Sequence, residues 1–144
     1  MRQYFFKNWD EGYTSLCKYL AIDEENVWLN RICLPSGQLL WGWIDDQRRN
    51  KKLLNPEQIA KLNAVGFPWS VYELHWYRML HYCAEFFKLN RGKIMPRNYQ
   101  CDGLNVGSWF YLQLQRDKRG LLKEWKSQAL RRILKRSLIK KVAV

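Results

Sequence analysis

The chain has 144 residues, 47% hydrophobic, 26% charged and 15% aromatic, with a formal net charge of +12. Its 22 aromatic residues against 12 glycines and prolines exclude a disordered chain, and no stretch approaches the ~20 apolar residues of a transmembrane helix. The first dozen residues carry Arg2, Lys7, Asp10 and Glu11 with no apolar run, which argues against a signal peptide and for a compact cytoplasmic protein.

Trp9 opens the first expected helix, with Tyr13, Leu16, Cys17 and Leu20 following at helical spacing to about Ile22. A loop with Asn26, Asn30, Pro35, Ser36 and Gly37 follows, and Asp23, Glu24 and Glu25 before it read as a solvated acidic turn. A second helix spans about Leu39 to Arg49. Asn55 is placed to cap a third, with Pro56 at its first position, Gln58 completing a capping box and Gly66 just past its end. Ile59, Leu62 and Val65 form its stripe. The same order returns as a helix over Trp76–Leu89, a loop with Gly92, Pro96 and Gly103, a helix over Val106–Gln115 and a helix from about Leu122.

That return is an internal repeat. G-Q-L-L-W-G-W-I-D-D-Q from Gly37 and G-L-N-V-G-S-W-F-Y-L-Q from Gly103 share glycine, aliphatic, tryptophan, apolar residue and glutamine at equal spacing. Trp43 and Trp109 lie 66 residues apart, and Trp9 and Trp76 lie 67 apart. The expected fold is all-α: two tandem three-helix units, residues 1–70 and 71–144, joined by a short linker near Ser70–Glu73. Trp9, Trp43, Trp76 and Trp109 sit on apolar stripes and are expected in the cores, as is Trp69, rather than on a base-stacking surface. Trp28 and Trp41 are expected to be exposed or at an interface, because Trp41 stands where the second copy has Gly107.

Charge divides the halves. Residues 1–75 balance nine Lys and Arg against nine acids, whereas 76–144 hold sixteen against four (Glu85, Asp102, Asp117, Glu124). A one-sided excess of this kind favours polyanions, nucleic acid before an anionic membrane. The candidate contacts are Gln47, Arg48, Arg49, Lys51 and Lys52 after the second helix, and Gln113, Gln115, Arg116, Lys118 and Arg119 in the matching stretch. Gln and Arg can read base edges, whereas Lys meets phosphate as a point charge. Arg131, Arg132, Lys135, Arg136 and Lys140 add a basic face to the last helix, whose apolar face holds Leu130, Ile133, Leu134 and Leu138. Such a helix suits duplex DNA, a bilayer or a partner protein; a need for its apolar face in the core disfavours the membrane.

Catalysis finds no support. Neither G-x-S-x-G, H-E-x-x-H nor a Gly-rich phosphate loop is present, and Asp45 and Asp46 are adjacent and diverge on a helix. No metal or other cofactor is expected: Cys17, Cys33, Cys83 and Cys101, with His75 and His81, make no zinc spacing. The cysteines read as free thiols, with Cys17–Cys33 and Cys83–Cys101 pairing as the alternative.

The run L-L-W-G-W-I-D-D-Q-R-R followed by L-L-N-P-E-Q-I-A-K-L-N-A-V-G-F-P-W resembles the helicase-associated domain family. Trp9, Trp43, Ile44, Gln47, Arg48, Leu54, Ile59, Leu62, Gly66, Phe67 and Trp69 carry the likeness over residues 4–69. The second copy follows through Trp76, Gly103, Val106, Gly107, Trp109, Phe110, Gln113, Leu122, Leu130 and Ile133. It departs at Leu114, where the first copy has Arg48, carries two extra residues before Leu121 and lacks the terminal G-F-x-W. The resemblance implies small three-helix domains, often in tandem and appended to helicases, that bind nucleic acid. With no G-x-x-x-x-G-K-[ST] loop, the expectation is an accessory module without the motor, binding DNA in preference to RNA, with a protein such as a helicase as a further partner. The competing expectation is a protein-interaction module docking through Trp41 and Trp28.

Overall fold

The computed structural model describes residues 6–22 and 27–142, the side chains of 136–142 excepted. The acidic turn read at Asp23, Glu24 and Glu25 lies outside the described residues. Among the described residues six α-helices follow in order: α1 (Trp9–Ile22), α2 (Leu40–Arg49), α3 (Pro56–Ala64), α4 (Val71–Leu89), α5 (Val106–Lys118) and α6 (Glu124–Val142), with a 3-10 turn at Lys51–Leu53. Extended pairing among the described residues is confined to two isolated bridges, Cys33 with Leu39 and Cys101 with Leu104. The fold is all-α. The chain divides into two compact units, Met1–Tyr77 and Arg78–Val144, and the division falls inside α4.

In the first unit the helix ends follow their sequence signals. Asn8 Oδ1 accepts the Glu11 N–H at 2.9 Å and starts α1. Asn55 and Gln58 exchange a reciprocal pair of bonds at 2.8 and 3.0 Å, a complete capping box, with Pro56 opening α3. At the other end Gly66 takes φ +74°, and the Phe67 N–H returns to the Leu62 carbonyl at 3.1 Å. That turn drives Phe67 and Pro68 into the core beside Leu16, Leu40, Trp43, Ile44 and Leu62.

Four aromatic expectations need correction: Trp28 is buried, and Trp9, Trp69 and Trp109 are only half-buried. Trp28 is not exposed: it is 7% accessible, set edge-on to Phe67 at 5.4 Å and beside Tyr77 at 5.9 Å. Its partners stand some 40 and 50 residues away in the chain, beyond the reach of local periodicity. Trp69, expected inside, is half-buried against Phe67 at 4.4 Å, its indole N–H donating to Asn63 Oδ1 at 2.7 Å. Trp43 and Trp76 are buried, whereas Trp9, Trp41 and Trp109 are half-buried.

Helix α4 begins five residues before the expected Trp76. Ser70 Oγ accepts the Glu73 N–H at 3.2 Å while the Glu73 carboxylate accepts the Trp69 N–H at 3.1 Å. The S-x-x-E signal at Ser70–Glu73 explains that start.

In the second unit, Met79, Leu80, Cys83, Phe86 and Phe87 from α4 pack with Met95, Val106 and Phe110, and with Ala129, Leu130 and Ile133 from α6. Phe87 meets Phe110 at 5.4 Å and Phe86 meets Tyr99 at 4.8 Å. Helix α5 runs to Lys118, three residues past the expected end. It is then closed by Gly120 at φ +70°, with the Leu121 N–H bonded to the Arg116 carbonyl at 2.9 Å. The apolar stripe of α6 through Leu130 and Ile133 is spent on this core.

Candidate functional site

The basic candidates divide into side chains held by the fold and side chains presented to solvent. Gln47 belongs to the first group. It is buried, accepts the Trp9 indole N–H at 2.8 Å and donates to the Trp43 carbonyl at 3.1 Å, tying α1 to α2. Arg48 is half-buried: its Nε donates to the Pro68 carbonyl at 2.9 Å, Nη1 to Asp45 at 3.2 Å, and the guanidinium lies 5.6 Å from the Phe67 ring. Burial lowers its pKa, against the opposing pull of the Asp45 carboxylate. Gln113 is buried at 2%. Burial leaves the Gln47 and Gln113 amides little access to a base edge, and Arg48 is held to the segment before α4 through Pro68.

The second group is exposed. In the first unit it comprises Arg49, Lys51 and Lys52, with the Lys51 ammonium 4.5 Å from the Trp69 ring centre. In the second unit Gln115, Arg116, Lys118 and Arg119 are exposed along the last turn of α5, and Arg131, Arg132 and Lys135 along α6. The side chains of Arg136 and Lys140 lie outside the described residues.

A polar clasp joins α5 to α6. Asp117, only 15% exposed, accepts from the Ser127 hydroxyl on one oxygen and from Arg131 Nε on the other at 3.2 Å. The Ser127 bond, with Arg131 behind it, holds the Asp117 carboxyl below its ordinary range. Arg131 is thereby partly neutralised, and the acid that would oppose the cations of α5 is occupied.

The sequence reading passed over a cleft of about 440 Å3 on α5. Ser108, Tyr111, Leu112, Gln115 and Lys118 recur on one face of the helix, opposite buried Val106, Phe110 and Gln113. Arg97 closes the cleft from the preceding loop, its guanidinium 4.4 Å from the centre of the Tyr111 ring. Gly107 allows this arrangement, because a side-chain carbon there would overlap the Pro96 and Arg97 carbonyls. The spacing of the exposed α5 face was legible in the sequence, but the approach of Arg97 was not.

Among the described residues no group of His, Cys, Asp and Glu could hold a metal ion, and no helix is long and apolar enough to cross a membrane. The four cysteines are free.

Residues 6–70 match the family model of the helicase associated domain. This segment is a helicase-associated domain. No curated protein and no solved structure matches the chain. The residues that carry the likeness are largely interior: Trp43, Ile44, Gln47, Leu62, Gly66 and Phe67 are all buried. The motif of this helicase-associated domain therefore specifies how three helices pack. It is an accessory domain and not a catalytic one.

Proposed function

We propose that the chain is a non-enzymatic accessory module that binds nucleic acid, DNA in preference to RNA, through the basic face of its second unit. We propose further that this unit is a diverged copy of the helicase-associated domain before it. One observation carries the reading. Arg116, Lys118, Arg119, Arg132 and Lys135 are exposed on two helices of one unit, while Asp117 between those helices is turned inward to Ser127 and Arg131. Such a surface suits the phosphate backbone, which is contacted by exposed Lys and Arg with little need for buried machinery. Burial of Leu130 and Ile133 takes part of the apolar face of α6 into the core, which favours nucleic acid over a bilayer. Docking on a protein loses support with Trp28 buried, and Trp41 is half-buried with Arg31 5.0 Å from its ring.

Fluorescence anisotropy with labelled duplex DNA, single-stranded DNA and RNA tests the proposal. Joint replacement of Arg116, Arg119, Arg132 and Lys135 by Gln should weaken binding to every DNA sequence by at least tenfold. Replacing Arg49, Lys51 and Lys52 should cost several-fold less. Absence of binding at ~50 mM salt, or binding indifferent to both sets, would transfer the function to protein docking.

A further inference from the structure

We propose that the α5 cleft receives one unstacked nucleotide of a single strand, with the base on its apolar wall and the phosphate between Arg97 and Lys118. This rests on the nucleic-acid reading above and adds strandedness to it.

The cleft falls within the ~300–1,000 Å3 typical of small-ligand sites, at about 440 Å3. Its lining is divided by chemistry. Leu112 and Leu114 supply an apolar wall beside the Tyr111 ring that Arg97 covers, Ser108 and Gln115 supply hydrogen-bonding groups, and Arg97 and Lys118 supply positive charge. Among the described residues no carboxylate lines it. A ligand that satisfies all three needs a flat apolar face, polar edges and an anion, which together describe a nucleotide. The wall is also fixed in advance. The Tyr111 hydroxyl donates to the Met95 carbonyl at 2.6 Å, and Arg97 covers the Tyr111 ring at 4.4 Å, so neither side chain must be ordered on binding. Ser108 Oγ donates to the Arg97 carbonyl at 3.3 Å and holds the loop to the helix. Leu112 is 43% exposed, a large apolar residue at the mouth of a cationic cleft.

A duplex cannot fill this wall, because its base faces are covered by their neighbours in the stack. A single strand can splay a base onto Leu112 and Leu114 while its phosphate meets Arg97 and Lys118. Free nucleotides share that chemistry, so the test separates the two sources.

The 144-residue chain is titrated with a labelled mixed-sequence 12-nucleotide single strand, the matching 12-base-pair duplex and a nucleoside monophosphate, using anisotropy and amide chemical shifts. The single strand should bind at least fivefold tighter than the duplex at equal salt. Leu112→Ser should reduce single-strand affinity about fivefold, the effect of roughly 40 Å2 of leucine surface that the base takes out of water. It should leave duplex affinity and helical circular dichroism unchanged. Arg97→Gln with Lys118→Gln should weaken the single strand further, and the monophosphate should shift the amides of Tyr111, Leu112 and Gln115 only at millimolar concentration. Equal loss on strand and duplex, no loss on either, or tighter duplex binding would overturn the cleft and leave the basic-surface reading standing. A monophosphate that binds as tightly as the 12-mer would overturn its assignment to a strand. Failure of every nucleic acid to bind at ~50 mM salt would overturn both.

Discussion

Trp43 carries the packing of α1 on α2. It is 3% exposed, lies 5.6 Å from Trp9 and faces Gly12 so closely that a methyl group there would overlap its indole. Trp43→Ala should cost about 3–5 kcal/mol in chemical denaturation, the range for a large aromatic removed from a packed interior. Gly12→Ala should also destabilise the first unit, because the indole has no room to withdraw. Gln47 depends on the same junction: Gln47→Leu leaves the Trp9 N–H and the Trp43 carbonyl without their partner and should lower the melting temperature. Thiol chemistry gives a second test of residue environment. Cys83 is fully buried and its pKa is pushed up to about 12, whereas Cys33 is exposed. A thiol reagent at pH 8 should modify Cys33 at once and Cys83 only on unfolding. Prompt reaction at Cys83 would show that the second core opens more readily than its packing indicates.

Between helices, the Asp117 clasp is sensitive to pH. Because the folded state holds this carboxyl below its ordinary value of 3.8, the clasp contributes its full stability above that pH and loses it as pH falls through the depressed value. Asp117→Asn should therefore flatten the acid limb of the stability profile below about pH 4 while changing little of its shape above. An acid limb of unchanged slope would mean that the Ser127 and Arg131 bonds are not maintained in solution. The capping chemistry explains why most helices could be located from sequence. Asn55, Pro56, Gln58 and Gly66 are local signals, and each occupies its expected place. The start of α4 was carried by an equally local signal, Ser70 and Glu73, hidden because the apolar stripe was counted from Trp76. What locality could not convey is pairing across the chain. The burial of Trp28 was hidden because Phe67 and Tyr77 are distant in sequence, and Arg97 was passed over because only the folded loop brings it to Tyr111.

On the scale of the whole molecule, charge and family likeness separate. The helicase-associated match covers residues 6–70, where charge is balanced, while the whole net charge lies in residues 76–144. Composition alone located the basic half. It could not tell which side chains of that half, or of the neutral half, are free to make contacts. Glutamines and arginines look alike in sequence whether they face solvent or, as Gln47, Gln113 and Arg48 do, the interior of their own unit.

The salt dependence of DNA affinity tests the central claim most directly. Each phosphate contact by Lys or Arg releases condensed counterions, so about five contacts give a slope of log K against log[salt] of about −4 to −5. Replacing Arg116, Arg119, Arg132 and Lys135 together should flatten that slope by about three units, and replacing Arg49, Lys51 and Lys52 should leave most of it intact. A slope unchanged by the first set, or no measurable affinity at ~50 mM salt, would contradict nucleic-acid binding through the second unit.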